Sequence, residues 1–507
     1  MNKYILFFNT IKFLKPIQIY YRGFYFLRYR LRKRIAFKYN FFKNSNSNIL
    51  KLNHSIESKS TYRDNEFYFL NISKKFETSI DWNYNAYGKL WTYNLTYFDF
   101  LSKKEDIHLI KNFIDNIESI KDGLEPFPIS LRGINWIKYL TRYKIKDKKI
   151  DNSLYAQYYI LMNNLEYHLL GNHLLENAFS LLFGAYYFRD EQLYLKAKNI
   201  LLTQLDEQIL DDGGHFELSP MYHQIMLFRL LDSINLVKNN SWKDKELLEF
   251  LSKKGEIMLG WLESISYLNG DIPIFNDSAK DIAPITGELI DYATRLELKS
   301  KCLKLSDSGY RKITNSKYES IIDIGDIRSN YIAGHTHADI FNFEIRIDGK
   351  AFIVDRGVTT YNSCKQRGIE RSTNGHNCVE INGKNQSEIW DSFRVGNRAR
   401  VIDIKESKNI IEATHNGYKD ILHTREWTFE KNRIIIKDKL NKRADAVARL
   451  YFHFDISKEY ILKHLNISSD SYIFGKYELS IGFNKTKLSN FIEIYFDKSL
   501  KTILYIM

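Results

Sequence analysis

The chain has 507 residues, of which 44% are hydrophobic, 27% are charged and only 6 are proline. A single hydrophobic core rarely grows to this size, so the composition predicts a folded protein of two or three domains and excludes a disordered one. Lys and Arg outnumber Asp and Glu by 74 to 61, and the net charge of +13 favours a polyanionic partner such as nucleic acid, anionic lipid or acidic polysaccharide.

Residues 1–75 are predicted to form a basic, aromatic arm. Aromatic and basic side chains interleave over residues 20–44. We interpret this stretch as a helix that packs through its aromatic face and leaves its basic face in solvent, with a nucleic-acid or membrane-surface helix as the alternative. The polar sequence of residues 45–61 predicts a linker or a surface segment.

The beginning of the chain gives no sign of export or membrane insertion. Lys12 and Lys15 interrupt a short apolar run, and no small-residue cleavage site follows, so no signal peptide is recognised. No apolar run reaches the roughly 20 residues that a transmembrane helix needs. A cytoplasmic location is the default expectation, with a periplasmic or cell-envelope association as the alternative.

The middle of the chain predicts helices and the last third predicts strands. Residues 174–188 and 222–237 carry apolar side chains around most of a helical circumference, which is typical of helices buried on more than one side. From residue 309 the sequence changes to short alternating runs with turn signals. Asp348-Gly349 and Asn382-Gly383 each predict a hairpin turn, so an antiparallel β-sandwich is expected there.

Two polar clusters lie on the predicted helices. In GNHLLENA, residues 171–178, Asn172 precedes three polar residues that share one helical face, His173, Glu176 and Asn177; a cap with a satisfied buried network is the alternative interpretation. In DDGGHFELSPMYHQ, residues 211–224, Tyr222 falls in the first turn of a helix. The positive field of that helix end is expected to lower the pKa of Tyr222 and suit it to proton exchange, although such a tyrosine is often an ordinary packing residue.

A third cluster contains the most specific local signal. His335, His337 and Asp339 alternate, so on a strand they would face one way, close enough to bind a metal or to divide catalytic and metal roles. Asp355 and His376 lie at the ends of neighbouring predicted strands. A cupin is disfavoured because the glutamate that follows its HxH motif is not at the expected spacing. The three cysteines show no CxxC spacing, which excludes a disulfide framework and a thiolate zinc site and favours a reducing compartment.

At these motifs the sequence resembles the heparinase II/III family, and especially its branch associated with bacterial surface-polysaccharide gene clusters. The matching segments run in order from LWTYNLTYFDFL through PFPISLRGINWIKYL, GNHLLENA and DGGHFELSPMYHQ to GHTHAD and NGHN, over about residues 80–400. The resemblance implies an α+β, multidomain fold, with an incomplete (α/α) toroid at residues 76–308 followed by an antiparallel β-sandwich at residues 309–507.

The resemblance also implies a function: a polysaccharide lyase that cleaves a uronic-acid-containing acidic glycan by β-elimination. Tyr222 and His335 match its catalytic positions, and Asn172 or His173 matches the group that neutralises the substrate carboxylate. Asp277 lies in a segment that resembles a family loop near the cleft. Further expected substrate contacts are Arg132, Asn135, Trp136, Glu176, Asn177 and Arg371. A structural zinc is expected on His337, Asp355 and His376, with no organic cofactor.

Two other functions compete with this hypothesis. One is a noncatalytic or differently reactive glycan-binding component of capsule or O-antigen biosynthesis, which the missing export signal favours. The other is a nucleic-acid-binding protein, suggested by the charge of +13 and the basic arm. No nucleic-acid-binding module is recognisable in the remaining chain, so no nucleic-acid partner is expected.

Overall fold

The computed structural model describes residues 3–57, 60–243 and 245–506. Helices dominate up to residue 295 and strands dominate from residue 310. None of the described helices is both long and apolar enough to cross a membrane. The helices are α1 Lys3–Ile11, α2 Pro16–Arg34, α3 Lys89–Tyr97, α4 Ile107–Asn116, α5 Pro126–Arg142, α6 Lys148–Met162, α7 Gly171–Phe188, α8 Glu191–Gln208, α9 Pro220–Asn239, α10 Glu246–Ile265, α11 Thr286–Arg295, α12 Lys365–Arg371 and α13 Lys458–His464.

Helix α7 lies at the centre of the helical half. It packs against α5, α8 and α9, and each of its residues except His173 is buried. Gly133 on α5 and Gly184 on α7 leave room for the ring of Tyr158, which a Cβ at either position would meet at 2.6 to 2.8 Å. These contacts confirm the prediction of helices buried on more than one side.

The arm differs from its prediction. Tyr21 and Tyr25 of α2 lie against the protein, but several other aromatic side chains of this helix are exposed, so the aromatic residues do not form one packed face. The predicted linker instead runs along the helices, with Asn48 N–H donating to the carbonyl of Tyr187 at 2.8 Å. Residues 62–75 then form a small antiparallel sheet whose buried phenylalanines join the helical core.

The strands of this small sheet are β1 Tyr62–Arg63, β2 Glu66–Phe69 and β3 Ile72–Lys75. Those of the second half are β4 Tyr310–Thr314, β5 Tyr318–Asp323, β6 Phe343–Ile347, β7 Lys350–Ile353, β8 Val379–Ile381, β9 Ile389–Trp390, β10 Arg394–Val395, β11 Val401–Glu406, β12 Ile410–Tyr418, β13 Ile421–Glu430, β14 Arg433–Leu440, β15 Ala446–Tyr451, β16 Leu465–Ile467, β17 Tyr472–Gly482, β18 Lys485–Phe496 and β19 Ser499–Tyr505.

Three antiparallel sheets make up most of the second half, in the orders β4-β5-β6-β7, β17-β18-β15-β8 and β11-β12-β13-β14-β19-β16. Apolar side chains from all three sheets meet in one core. A separate apolar cluster joins this half to the helices, because Leu218 and Trp261 pack with Phe275, Tyr310 and Ile321. We call this interface between the helical half and the strand half the seam. We propose the boundary at residues 308 and 309, which falls between α11 and β4.

The turn predictions hold better than the strand predictions. Asp348 and Gly349 have φ of +48° and +75° and connect β6 to β7, as predicted. Asn382 and Gly383 also form a turn, but only one bridge, between Ile381 and Lys384, spans it. The predicted hairpin does not form because β8 pairs with β15. The segment of residues 335–339 is a loop, so the strand expected there is wrong. Side chains from distant parts of the chain hold this loop, whereas a strand would be held by pairing with a neighbouring strand.

Candidate active site

Tyr222 and His335 lie face to face where the helices meet the sandwich. Tyr222 is in the first turn of α9, and its backbone N–H donates to the side chain of the N-cap residue Ser219 at 3.3 Å. His335 belongs to the loop before β6. The two ring centroids are 3.9 Å apart, with 32° between the ring planes. The fold therefore brings together the two residues that the sequence predicts to be catalytic.

Asp277 is a fully buried carboxylate that holds the histidines of this loop. One of its oxygens is 2.9 Å from His335 Nδ1 and the other is 2.9 Å from His337 Nε2. Arg367 donates to both oxygens, at 2.5 and 2.8 Å. Burial by itself raises the pKa of a carboxyl group, but Arg367 and the two histidines hold the pKa of Asp277 well below its usual range. Asp277 is therefore ionised.

The ionised Asp277 fixes the tautomer of both histidines. A carboxylate only accepts hydrogen bonds, so His335 donates from Nδ1 and His337 donates from Nε2. In its neutral form His335 then has its lone pair on Nε2, on the side away from Asp277. This is the orienting role that a carboxylate has toward histidine in a catalytic triad. Neutral His337 has its lone pair on Nδ1.

Glu217 connects Asn172 to the same site. Its carboxylate accepts the Asn172 backbone N–H at 2.9 Å and the Asn172 side-chain amide at 2.8 Å. Its Oε2 is also 3.7 Å from His335 Nε2. Gly171 is needed beside it, because φ is +56° there and a Cβ would approach Glu217 Oε1 to 2.7 Å. The start of α7 is thereby fixed next to His335.

His173 lies at the same helix start, and 33% of its side chain is exposed. Its Nδ1 is 3.1 Å from Glu166 Oε1, and its ring packs on Phe127 with centroids 4.8 Å apart. Burial disfavours the charged imidazole, but Glu166 outweighs this effect, and the pKa of His173 is raised above 6.5. Glu166 therefore favours the positively charged form of His173 beside Asn172.

Glu176 and Asn177, both predicted to bind substrate, support the site from inside the protein. Glu176 is fully buried and accepts a hydrogen bond from Arg229 Nε at 2.6 Å. Asn177 accepts the Glu166 backbone N–H at 3.0 Å and donates to the Glu166 carboxylate at 2.9 Å. Asn177 thus positions the carboxylate that contacts His173. Both residues therefore belong to a buried network, although Glu176 Oε2 has no hydrogen-bond partner among the described residues.

Three more predicted substrate contacts are fully buried: Arg132, Trp136 and Arg371. Arg132 donates to two backbone carbonyls of the helical half, and Trp136 packs among phenylalanines. Arg371 donates to the carbonyl of Thr336 at 2.9 Å and so holds the loop between the two site histidines. The structure therefore places none of the three where a ligand enters. Asn135 is half-buried and lines a cavity of about 380 Å³ in the helical half.

A second cluster, suited to hold a metal ion, is connected to His335 through Asp277, which also contacts His337. Ligand atoms of His337, Asp339 and His376 are all within 4.8 Å of one another. His337 Nδ1, Asp339 Oδ2 and His376 Nε2 are buried and have no hydrogen-bond partner among the described residues, which is costly unless a cation occupies the space between them. Asp355, the carboxylate predicted as a ligand, is instead 2.7 Å from His376 Nδ1. A carboxylate in that position orients a ligating histidine.

Three residues of the site were not predicted from the sequence: Glu217, Tyr361 and Arg367. Glu217 is in the same segment as Tyr222, and Arg367 is one helical turn before Arg371 on α12. Their closeness to residues that were predicted is the only sequence feature that could have indicated them. No local pattern marks Tyr361. The fold brings it in from the loop after β7, and its hydroxyl oxygen is 3.4 Å from that of Tyr222.

The predicted lowering of the Tyr222 pKa is wrong. Burial, the largest influence, raises this pKa above its usual value of 10, and the carboxylates of Asp277 and Glu217 raise it further. The hydrogen bond with Tyr361 acts in the opposite direction but is weaker. Loss of water therefore outweighs the field of the helix end, and Tyr222 keeps its proton at neutral pH.

Two family models match this chain on either side of the seam. The heparinase II/III N-terminus matches residues 148–294, which include Tyr222, and the heparinase II/III-like C-terminal model matches residues 299–472, which include His335. Together they take in more than half of the chain. The chain belongs to the heparinase II/III family. The gap between the two matches lies just before the boundary that we propose at residues 308 and 309.

Two heparin-sulfate lyases share low sequence identity with this chain. A heparin-sulfate lyase of Bacteroides stercoris is 23% identical over 304 residues, covering 53% of this chain and 43% of that one. A heparin-sulfate lyase of Pedobacter heparinus is 24% identical over 289 residues, covering 52% and 42%. The chain thus matches less than half the length of either relative.

The fold is shared more completely than the sequence. A crystal structure of heparinase III superposes with a TM-score of 0.68 at 15% identity, covering 98% of this chain and 93% of that one. This likeness confirms the predicted fold class, a helical toroid followed by an antiparallel β-sandwich.

Proposed function

We propose that this heparinase II/III protein is a polysaccharide lyase that cleaves a uronic-acid-containing acidic glycan by β-elimination. The observation that carries the proposal is the contact between Tyr222 and His335, with Asp277 orienting the histidine. Two proton-transfer groups thus lie side by side at the seam. The net charge of +13 suits a polyanion, and the names of the heparin-sulfate lyases favour a glycosaminoglycan of the heparan sulfate type.

The reaction requires a base, an acid and a group that neutralises a carboxylate. The base removes the proton at C5 of the uronate, and the electron pair moves onto the carboxylate to form an enolate. When that pair returns to form the C4=C5 double bond, the bond from C4 to the glycosidic oxygen breaks. The oxygen leaves with its electron pair and takes a proton from the acid. No water is consumed.

We assign the base to His335 and the acid to Tyr222. His335 is held through Nδ1, so its Nε2 lone pair is available for the C5 proton. Tyr222 has a raised pKa and therefore retains the proton that the leaving oxygen needs. Exchange with solvent after product release returns both residues to their starting protonation states.

His173 and Asn172 fit the carboxylate-neutralising role at the start of α7. The His173 side chain is 33% exposed, whereas Asn172 is 1% exposed and its amide must turn from Glu217 to reach a substrate. An amide and an imidazolium stabilise an enolate as the donors of an oxyanion hole stabilise a tetrahedral intermediate, and one such donor is worth about 10²–10³ in rate. Glu217 positions Asn172, and Glu166 favours the charged form of His173. The sequence had left the choice between the two residues open, and the structure gives each of them a supporting carboxylate.

The KM for the polymer is expected to rise as the pH increases through the raised pKa of His173. Below that pKa the imidazolium attracts the uronate carboxylate, and above it the charge is lost while the substrate stays ionised. Steady-state kinetics from mildly acidic to alkaline pH measure this. The control is His173→Gln, which cannot titrate; we expect a KM about tenfold higher at acidic pH and nearly flat with pH. An unchanged KM profile in that variant would exclude the role.

We further propose that His337, Asp339 and His376 hold a zinc ion, with Asp355 orienting His376. The three unpartnered buried atoms support this ligand set, and histidine with carboxylate suits zinc. When bound, the ion supplies a structural cross-link between the loop of residues 335–339 and the segment that carries His376. His335 is two residues from His337, so this cross-link fixes the position of the proposed base.

Metal analysis of two matched variants separates Asp339 from Asp355. Asp339→Asn is expected to abolish zinc binding, because a ligand is lost. Asp355→Asn is expected to weaken zinc affinity about 10- to 100-fold, the usual effect of removing an orienting carboxylate. The control is Asp348→Asn, in the turn between β6 and β7, where asparagine fits the positive φ. Zinc content by mass spectrometry, with competition against a chelator, measures both effects.

Loss of zinc from Asp355→Asn with full retention in Asp339→Asn would restore the ligand set that the sequence predicts. An unmodified protein that takes up no zinc would contradict the metal proposal altogether.

The proposed function is tested by incubating the purified protein with a panel of acidic polysaccharides, beginning with heparan sulfate. Each cut by a lyase shortens the polymer and creates one ultraviolet-absorbing unsaturated uronate, so the number of cuts equals the number of unsaturated ends. We expect both signals with the unmodified protein and neither with His335→Ala. If no polymer in the panel is cut, including the surface glycan of the producing cell, the lyase proposal fails.

A further inference from the structure

Helix α2 presents a row of large apolar side chains to solvent. Spacings of three and four residues place Ile17, Tyr20, Phe24, Leu27 and Leu31 along one side of the helix, which we call the apolar row. Their exposed fractions run from 40% to 66%. Single exposed hydrophobic residues are common on proteins, whereas a continuous row of five on one helix indicates an interaction surface.

A different side of α2 already binds the rest of the protein. Gln18, Tyr25 and Arg28 donate hydrogen bonds to backbone carbonyls of residues 163–170, at 2.9, 2.5 and 2.7 Å. Tyr21 stacks on an aromatic ring of the same segment, with centroids 4.8 Å apart. The helix is thus anchored along its length to the loop that leads into α7. The apolar row does not take part in this anchoring.

The charge around the apolar row has one sign. No Asp or Glu precedes Glu57, whereas residues 3–38 contain ten Lys and Arg. Four cations of α2 are exposed, Arg22, Arg30, Lys33 and Arg34. Arg30 and Arg34 lie next to the apolar row, three residues after Leu27 and Leu31. Helix α1 also exposes two apolar rings, Phe7 and Phe8, which are 51% and 65% accessible. The surface therefore combines apolar bulk with positive charge.

We propose that α2 lies on the surface of a membrane that contains anionic lipids. The apolar row would rest at the boundary of headgroups and acyl chains, and Arg30 and Arg34 at its flank would reach the headgroups. A second copy of this chain would bring a like-charged surface against α2. An acidic glycan would pair with the cations and stack on the rings, but it would leave Ile17, Leu27 and Leu31 in water. Anionic lipid matches both parts of the surface.

Vesicle co-sedimentation of the full chain tests this proposal, using phosphatidylcholine vesicles with and without phosphatidylglycerol. We expect at least about tenfold tighter binding to the anionic vesicles. The double variant Leu27→Glu, Leu31→Glu is expected to lose this binding. The matched control is Leu195→Glu, Leu488→Glu, which changes two leucines that are 58% and 60% exposed elsewhere on the protein and is expected to bind as the unmodified chain does. Circular dichroism verifies that each variant is folded.

A second variant tests the charge separately. Arg30→Gln with Arg34→Gln is expected to weaken binding about fivefold per charge removed, without affecting the fold. Equal losses in the control leucine variant, or no binding of the unmodified chain to anionic vesicles, would overturn the proposal. The proposal would also be overturned if the Leu27 and Leu31 substitutions left vesicle binding intact and converted a dimer to a monomer. The apolar row would then be a subunit interface. The result does not depend on lyase activity.

Discussion

Tyr222→Phe is expected to lower kcat by about 10²–10⁴-fold while leaving polymer binding nearly unchanged. The substitution removes the hydroxyl that gives its proton to the leaving oxygen, and general acid catalysis is worth about this much. The ring remains, so its packing against His335 is preserved. Steady-state kinetics of product absorbance give kcat, and calorimetric titration of the inactive variant gives the affinity.

The matched control is Tyr361→Phe, since the two hydroxyl oxygens are 3.4 Å apart and both side chains are half-buried. We expect less than a tenfold loss of kcat there, because Tyr361 contacts the acid without being the acid. A larger loss in Tyr361→Phe than in Tyr222→Phe would transfer the role of acid to Tyr361. Normal turnover in Tyr222→Phe would remove Tyr222 from the mechanism.

Asp277→Asn is expected to combine the loss of activity with a loss of stability. Asparagine keeps the size of the side chain but is neutral and also donates, so it no longer fixes the tautomer of His335; in a serine protease triad the same change lowers kcat about 10⁴-fold. It also leaves the buried guanidinium of Arg367 unpaired, which costs about 3–5 kcal/mol. Chemical denaturation and kinetics on the folded protein measure the two losses separately.

Asp438→Asn controls for the stability effect. Asp438 is also a buried carboxylate with a guanidinium and a histidine as partners, Arg425 and His423, but it lies within the sandwich on β14. We expect a similar fall in stability and a kcat within about twofold of normal for the folded fraction. Zinc content is measured in both variants because Asp277 also contacts His337. Equal activity losses in the two variants would show that Asp277 acts through stability alone.

The parts of the fold that depend on local patterns were predictable from the sequence. Helical periodicity located α7 and α9, and Asp348-Gly349 located the turn between β6 and β7, because dihedral preferences and apolar spacing act over a few residues. Tyr222 and His335 were predictable through motifs that resemble a family. Their contact across the seam confirms only their proximity. Their roles stay predictions until they are measured.

Other parts of the site depend on contacts that a local pattern does not contain. Alternation of His335, His337 and Asp339 predicted a strand, but buried Arg371 and Asp277 hold that segment as a loop. The same long-range folding brings Asp339 into the histidine cluster and leaves Asp355 behind His376.

Burial also decides properties that the sequence suggested incorrectly. The helix end that was expected to lower the pKa of Tyr222 is outweighed by the loss of water around the phenol. Arg132 and Trp136 look like glycan-binding residues in the sequence, but both point into the helical core. Tyr20 and Phe24 of α2 are exposed where packing was expected, because the anchoring side of that helix is elsewhere. Each outcome depends on which elements become neighbours.

The most direct test of the central claim is the mass of the products formed from a cleaved polymer in water enriched with heavy oxygen. Elimination by Tyr222 and His335 predicts that every cut yields one unsaturated end and that no heavy oxygen enters either product. Incorporation of heavy oxygen at the cut, with two saturated ends, would show hydrolysis and would contradict the account.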